Sequence, residues 1–259
     1  MHDFARVCEE AARAGGEVLM GFRGRFKVRE KAPADLVTEA DFGSQEAIRK
    51  LILREYPDHC FVGEEDLPGE TTATDSEFTW VVDPLDGTTN YVHGLESYCV
   101  SVALLQHDTV ISGAIYDPIR DQCFRAAKGH GAFCNDEKLN VSRVEAVDQA
   151  LIAASLPARV ERNSKEVDRF CDVMVRCQAI RRLGSAALNL CYVAAGQLDA
   201  YWATSVKKWD VAAGLLIVSE AGGTISNLQG EALDLERPRF VAAGQDTLRV
   251  ELIEILNAE

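Results

Sequence analysis

The chain has 259 residues, which suits one large domain, and 47% of them are hydrophobic, which is enough to fill a sizeable core. Its net charge of -14 argues against a nucleic-acid backbone or an anionic membrane surface as a partner, because both are themselves negative. The same excess of carboxylates suits cations.

Two amphipathic helices are predicted at the start of the chain. Apolar side chains recur every three or four residues over 3–21 and again over 42–55, where Pro57 ends the pattern. The intervening "KAPADLVTEAD" is predicted to be mobile, because Pro33 and polar residues separate the helices. No signal peptide, membrane anchor or C-x-x-C pair is recognisable, so we expect a cytoplasmic protein with reduced cysteines.

Short β-rich runs separated by turn residues dominate the next part of the chain. Few helices lie between them, so a largely antiparallel sheet is predicted. The runs are "CFVGEE", "FTWVVD", "YCVSVALL", "TVISGAIYD", "QCFRAA" and "GAFCN".

Helices and strands alternate in the second half of the chain. Helices are predicted at 165–177, 185–195 and 209–221, between runs such as "LIAASL", "DAYWAT" and "RFVAAG". The fold class is therefore α+β, with an N-terminal subdomain over 1–140 and a C-terminal subdomain over 141–259. No linker or repeat separates them, so one continuous structural unit is expected.

The segment "WVVDPLDGTTN" places two acids directly behind an apolar run. Asp83 is expected at the carboxyl end of a buried strand, Pro84 is expected to stop the ladder, and Asp86 with Gly87 is expected to turn the chain. A helix beginning near Thr88 would offer free backbone N–H groups beside both carboxylates. Metal ions that bridge the carboxylates to a phosphate would explain this combination. The alternative is a strand end followed by an ordinary turn.

Three further acidic segments accompany this motif. "FVGEED" ends an apolar run in Glu64, "KKWDVAAG" places Asp210 at the start of a helix, and "DLVTEAD" places Asp41 beside the second helix. Helix capping is the local alternative for Asp210 and Asp41. Together the acids favour a metal site.

In this order, "DLVTEAD", "GEED", "WVVDPLDGTTNYVHG" and "WDVAAGLLIVSEAGG" closely resemble the motifs of the inositol monophosphatase family of magnesium-dependent, lithium-sensitive phosphatases. The resemblance spans nearly the whole chain. It implies a five-layer αβαβα sandwich and a homodimer. It also implies that a small phosphorylated metabolite, inositol 1-phosphate first among them, is hydrolysed by direct attack of a metal-activated water.

The resemblance also implies a role for each matching position. Two to three Mg²⁺ ions would be bound by Glu64, Asp83, the backbone carbonyl of Leu85, Asp86 and Asp210. The catalytic residues would be Thr88, its hydrogen-bond partner Asp41, and Glu64. The substrate would be bound by Gly87, Thr88, Gly184, Ser185, Ala186 and Asp210.

The sequence leaves the identity of the substrate open. Inositol-specific members of the family carry a glutamate where this chain has Ala203, so a contact to a ring hydroxyl is lost or made from elsewhere. Lys207 and Lys208 resemble the matching stretch of 3′,5′-bisphosphate nucleotidases, although solvated lysines are the commoner explanation. Histidinol phosphate, also hydrolysed within the family, is a further alternative.

Two other interpretations fit the sequence less well. Haloacid dehalogenase-type phosphatases use D-x-D-x-T and a covalent aspartyl phosphate, but the spacing here is D-x-x-D-G-T, and Glu64 and Asp210 have no place in that scheme. A cation-binding module without activity would require the loss of a residue needed for catalysis, and none of the acids is missing.

Lys31 belongs either to a flexible segment over the third metal or to the solvated surface. His93 is expected to pack or cap.

Overall fold

The computed structural model describes residues 2–32, 35–66 and 76–258. Within these ranges the helices are α1 His2–Phe22, α2 Glu39–Glu55, α3 Thr88–His93, α4 Lys165–Met174, α5 Ala186–Ala194, α6 Lys208–Glu220 and α7 Asp246–Leu256. The strands of the first half are β1 Val28–Ala32, β2 Asp35–Thr38, β3 Cys60–Gly63, β4 Phe78–Asp86, β5 Cys99–Gln106, β6 Thr109–Asp117, β7 Gln122–Ala127, β8 Ala132–Cys134 and β9 Glu137–Lys138. The strands of the second half are β10 Leu151–Ser155, β11 Ala179–Arg181, β12 Ala200–Ala203, β13 Thr224–Asn227 and β14 Phe240–Ala243.

Two large sheets organise the described residues. The first has seven strands in the order β3-β4-β5-β6-β7-β8-β9, and only β3 and β4 run parallel, which confirms the predicted antiparallel character. The second has five strands in the order β11-β10-β12-β14-β13 and is mixed, because β10 runs parallel to both of its neighbours. The chain passes from one sheet to the other between Lys138 and Leu151, near the predicted subdomain boundary.

Helices cover both sheets and fill the space between them. Helices α1 and α2 pack on the outer face of the seven-stranded sheet, over a core that includes the buried Trp80. Helices α5 and α6 lie between the sheets, where Tyr201 and Ala213 share one core. Helices α4 and α7 cover the far face of the five-stranded sheet around Trp202. This arrangement confirms the predicted five-layer αβαβα sandwich.

The segment between the first two helices contains a strand pair. Strands β1 and β2 form a two-stranded antiparallel sheet, so most of the segment that was predicted to be mobile is regular secondary structure. Thr38 then caps α2: the Thr38 side chain accepts a hydrogen bond from the backbone N–H of Ala40. The helix therefore begins at Glu39, three residues before the predicted start at 42. Pro33 lies outside the described residues.

Strand β4 continues past Pro84, so the prediction that the proline stops the ladder was wrong. Asp83 lies opposite Ser101 and Asp86 lies opposite Cys99, which leaves one extra residue on β4 and makes a bulge. A bulge tolerates proline because the residues within the bulge need not donate to the ladder. The hydroxyl of Ser44 on α2 donates to the Pro84 carbonyl at 2.9 Å and fixes the bulge.

Two further observations concern the whole described chain. The eight cysteines are free thiols, as predicted. Among the described residues, no helix combines the length and the apolar character needed to cross a bilayer.

Candidate active site

Three carboxylates from separate elements meet at one end of the seven-stranded sheet. Glu64 follows β3, Asp83 lies at the bulge of β4, and Asp210 is in the first turn of α6. Each offers one carboxylate oxygen, and these oxygens lie within 4.8 Å of one another. Carboxylate oxygens are the ligands that Mg²⁺ and Ca²⁺ prefer, so the donor set fits a hard divalent cation.

Burial makes this group of acids costly without a positive charge. Asp83 is only 2% exposed. Burial raises its pKa well above the usual range, and the charges of Glu64, Asp86 and Asp210 raise it further. Burial and the charge of Asp86 raise the pKa of Asp210 in the same way. The folded protein therefore gains from a cation or a proton at this point.

Asp86 is held by the beginning of α5. Its Oδ2 accepts hydrogen bonds from the Ser185 hydroxyl and, at 2.7 Å, from the backbone N–H of Ala187. Its Oδ1 accepts from the backbone N–H of Ala186 at 3.2 Å. Burial raises the pKa of Asp86 to about 6, and these hydrogen bonds oppose the rise. Asp86 thus joins the acid site to the layer of helices between the sheets.

Ser185 occupies a different position from the one predicted. It is fully buried beneath Asp86 and does not line the cleft, whereas its neighbours Gly184 and Ala186 do. Its hydroxyl also caps α5 by accepting from the backbone N–H of Leu188 at 3.2 Å. The cap turns the side chain of Ser185 inward.

Thr88 lies between Asp41 and the Leu85 carbonyl. Its Oγ1 is 3.3 Å from Asp41 Oδ1 and 3.0 Å from the Leu85 oxygen. Asp41 Oδ2 accepts from the backbone N–H and the hydroxyl of Thr38 at 2.8 and 2.7 Å, so the carboxylate also serves in the cap of α2. Burial raises the pKa of Asp41 to about 6, against these two hydrogen bonds. The predicted contact and the local alternative are both present.

Gly87 shapes the turn between β4 and α3. Its φ of 94° is in the left-handed region, and a Cβ there would come within 2.9 Å of the Ser97 carbonyl oxygen, so only glycine fits. Asn90, on α3, donates to the carbonyls of Ser97 and Leu183 at 2.7 and 2.8 Å. The amide joins the α3 turn to the loop that leads into α5. The predicted phosphate contacts of Gly87 and Thr88 would be made at this turn.

An open cleft of about 790 Å³ lies over the acids, and its lining includes Glu64, Asp86 and Asp210. Three basic residues, Lys31, Arg182 and Lys207, also line it. Lys208 does not, because its ammonium pairs with Glu236 at 2.9 Å. The structure therefore distinguishes the two lysines of the "KKWD" segment.

Other cleft residues differ from the sequence-based expectations. Arg182 was not predicted, although its place just before the Gly184 loop is a signal that could have identified it. Ala203 is fully buried and does not line the cleft, so it offers a ligand no contact there. His93 is exposed at the end of α3, away from the cleft lining.

Lys31 provides a positive charge beside the acids. It extends from β1 so that its Nζ lies 3.1 Å from Glu64 Oε1, and it also forms an ion pair with Glu65. Burial raises the pKa of Glu65 to about 7, while the contact with Lys31 lowers it. Glu65 belongs to the "GEED" motif, but no role was predicted for it. Its burial depends on tertiary packing, which the motif does not reveal.

The five-layer fold and the carboxylate-lined cleft together define a metal-dependent phosphatase class. The family model described as "Inositol monophosphatase family" matches residues 1–259. The chain therefore belongs to the inositol monophosphatase family, whose members are phosphatases and thus phosphoric monoester hydrolases.

Relatives with high coverage agree with this assignment. "Nus factor SuhB" of Pasteurella multocida (strain Pm70) is 38% identical over 261 residues, covering 99% of this chain and 96% of that protein. "Inositol monophosphatase 2" of Solanum lycopersicum is 39% identical over 267 residues, covering 99% of each.

Solved structures show the same fold. The extragenic suppressor protein SuhB from Bartonella henselae superposes with a TM-score of 0.92, at 35% identity and 97% coverage of both chains. An IMPase/NADP phosphatase complexed with Mg²⁺ and phosphate gives a TM-score of 0.83, at 26% identity, covering 94% of this chain and 91% of that one. The fold, the family and the hydrolase class predicted from the sequence are confirmed.

Proposed function

We propose that this protein is a Mg²⁺-dependent phosphomonoesterase that hydrolyses inositol 1-phosphate by direct attack of water on phosphorus. The observation that carries the proposal is the meeting of Glu64, Asp83 and Asp210, whose carboxylate oxygens lie within 4.8 Å of one another beside an open cleft. Such a set is unfavourable in a protein interior unless a cation neutralises it. A phosphate would be repelled by the same acids without that cation.

The residues fit two to three magnesium ions. Glu64, Asp83, Asp86, Asp210 and the Leu85 carbonyl would hold them, all through oxygen. Bound Mg²⁺ would neutralise acids and phosphate together and would make water a better nucleophile by lowering its pKa. The related IMPase/NADP phosphatase, which was solved with Mg²⁺ and phosphate, supports this choice of metal.

The chain's own groups would then position the attacking water. Asp41 Oδ1 lies 3.3 Å from the Thr88 hydroxyl and can accept a hydrogen bond from it. The lone pairs of Thr88 Oγ1 are then free to accept a hydrogen bond from the water. Thr38 holds the other oxygen of Asp41, so the carboxylate cannot rotate freely. Thr88 would orient the nucleophile, and Asp41 would orient Thr88.

The same elements would bind the phosphate and the leaving group. Backbone N–H groups of Gly87 and Thr88 at the start of α3 would bind phosphate oxygens. Asp210 would lie on the side of the departing oxygen, and its Oδ2 is fixed by the backbone N–H of Lys207 at 2.8 Å. An in-line reaction would require Thr88 on the side of the attacking water and Asp210 on the opposite side of phosphorus.

A second substrate class is favoured by the basic residues of the cleft. Arg182 and Lys207 could bind a second negative group, so a 3′,5′-bisphosphate nucleotide is the second candidate. Histidinol phosphate gains less from these residues, because its amine is positively charged.

A panel of esters tests the proposal. Phosphate release with Mg²⁺ would be measured from inositol 1-phosphate, histidinol phosphate, adenosine 3′,5′-bisphosphate and fructose 1,6-bisphosphate, and compared as kcat/KM. We expect inositol 1-phosphate to be preferred. Preference for another ester would overturn the substrate and retain the reaction. No Mg²⁺-dependent release from any of them would refute the proposal as a whole.

The proposal extends to the setting of the enzyme. Resemblance to the family supports a homodimer, a cytoplasmic location and inhibition by Li⁺. Light scattering after size-exclusion chromatography measures the first, cell fractionation the second, and Li⁺ titration of phosphate release the third.

A further inference from the structure

Ser155 is the direct neighbour of Ala203 in the five-stranded sheet. Strands β10 and β12 run parallel, and their register pairs these two residues. Paired residues point to the same face of a sheet. Ala203 is fully buried and carries no polar side-chain atom, whereas Ser155 is partly exposed and lines the cleft. At this point of the sheet a ligand can therefore meet a hydroxyl group.

The orientation of that hydroxyl is set from inside the protein. Tyr201, two residues before Ala203 on β12, is fully buried, and its O–H donates to Ser155 Oγ at 2.8 Å. Since the serine oxygen accepts this hydrogen bond, the serine proton is available for an acceptor elsewhere. Burial raises the pKa of Tyr201, and the charges of Asp86 and Asp210 raise it further, so the tyrosine remains a donor at neutral pH. Ser155 lines the same cleft as Asp86 and Asp210, so the pair lies near the acid site.

A further polar side chain continues this arrangement into the core. Asn189, on α5, is fully buried, and among the described residues neither its Nδ2 nor its Oδ1 has a hydrogen-bond partner. Helix α5 packs against β12, the strand that carries Tyr201. Buried polar groups without a hydrogen-bond partner are costly to the fold. Asn189, Tyr201 and Ser155 thus lead from the core to the cleft wall.

We propose that Ser155 binds the substrate by donating a hydrogen bond to an oxygen on its leaving group, and that Tyr201 is the positioning residue that directs the serine proton into the cleft. The inference rests on the proposed phosphomonoesterase function and adds a recognition contact to it. In chemical terms, the ligand is a phosphate monoester with a hydroxyl group near the ester oxygen. The contact would replace one that Ala203 cannot make.

The test compares two esters that differ only in their hydroxyl groups. Inositol 1-phosphate and cyclohexyl phosphate share the same ring, so the ratio of their kcat/KM values measures hydroxyl recognition alone. In Ser155→Ala this ratio should fall roughly 3- to 10-fold, the value of one neutral hydrogen bond, mainly through a higher KM for inositol 1-phosphate. Ser155→Thr keeps the hydroxyl and should restore the ratio.

Tyr201→Phe separates positioning from packing. It keeps the ring and removes only the O–H, so the ratio should fall by a smaller factor than in Ser155→Ala. Ser226→Ala is the matched control, because Ser226 lies in the same sheet on β13 and its hydroxyl bonds the Asn227 carbonyl, away from the cleft lining. Its ratio should equal that of the wild type.

The outcomes distinguish the inference from the function on which it rests. An unchanged ratio in Ser155→Ala, with an active enzyme, overturns the binding role alone. An unchanged ratio in Tyr201→Phe, with a reduced ratio in Ser155→Ala, overturns the positioning role alone. A wild-type protein that hydrolyses neither ester with Mg²⁺ overturns the phosphomonoesterase proposal and this inference with it.

Discussion

Replacing Asp83 by asparagine is expected to make the metal-free protein more stable, although it should abolish activity. Asparagine keeps the size of the side chain and can still accept the hydrogen bond that Asp83 Oδ1 receives from the Leu85 N–H at 2.9 Å. It removes the buried negative charge next to Glu64 and Asp210. A stability gain from the loss of a catalytic acid is typical of a site whose geometry favours function over folding.

The size of the gain follows from the distances. Two unit charges 4.8 Å apart repel by about 3.5 kcal/mol at an effective dielectric constant of about 20. The folded protein can avoid part of this cost by binding a proton. Keeping a proton at pH 7 on an aspartate of ordinary pKa, about 3.9, costs about 4 kcal/mol, at about 1.36 kcal/mol per pH unit, and this cost is the ceiling on the gain at neutral pH. We therefore expect a gain of about 1 to 4 kcal/mol.

The pH dependence gives the sign an independent check. The pKa of Asp83 is raised in the folded state, so the wild type binds more protons folded than unfolded and loses stability as pH rises above about 4. The advantage of Asp83→Asn in urea unfolding with EDTA should therefore widen with pH. Asp136→Asn, at a fully exposed position, is the matched control and should stay within about 0.5 kcal/mol of the wild type.

Saturating Mg²⁺ should reverse the order of the two proteins. The wild type would gain the free energy of metal binding, and the variant lacks one of the carboxylates proposed to hold the metal, so it would gain less. A metal-free Asp83→Asn protein that is no more stable than the wild type at about pH 8 would refute the argument that this acid cluster is unfavourable without a cation.

Other parts of the structure give predictions of their own. Thr88→Ala should lower kcat by roughly 100-fold and keep the thermal stabilisation by Mg²⁺, since the proposed mechanism uses the hydroxyl to orient water and not to hold an ion; loss of that stabilisation would contradict the proposed role. Ser185→Ala removes a hydrogen bond to the Asp86 carboxylate, so it should cost about 1.5 to 3 kcal/mol in urea unfolding of the metal-free protein near neutral pH and raise the pKa of Asp86 above about 6 in an NMR titration without metal. An unchanged pKa would show that this hydrogen bond does not stabilise the Asp86 carboxylate. Gly113→Ala should cost about 1 to 3 kcal/mol in the same assay, because a Cβ there would come within 2.9 Å of Ala213 Cα on α6. An unchanged midpoint would show that β6 and α6 separate easily.

The acids of the site could be predicted because each has a local signature. Glu64 and Asp83 follow apolar runs, and Asp210 lies in the first turn of a helix, so their positions near the ends of elements were readable from the sequence. Their distances from one another were not, because three separate elements bring them together. Ser185 shows the limit: as a residue type it suits both a pocket and a helix cap, and only the packing of α5 beneath Asp86 decides between them.

The fold was predictable at the level of layers and less so at particular residues. Alternating helices and strands, with the family motifs, led to the five-layer sandwich. Pro84 was misread because the missing N–H of proline ends most ladders, and a bulge held by Ser44 depends on a contact distant in sequence. The pairing of Ser155 with Ala203 is a matter of strand register, which no local pattern in "LIAASL" or "DAYWAT" reveals.

The most direct test of the central claim is phosphate release from inositol 1-phosphate by the wild type and by Asp210→Asn, each with Mg²⁺ and with excess EDTA. Asparagine can still accept from the Lys207 N–H, so the beginning of α6 should be preserved. The account predicts Mg²⁺-dependent release by the wild type and a loss of several orders of magnitude in a folded variant. Release that survives EDTA, or a variant that matches the wild type, would contradict it.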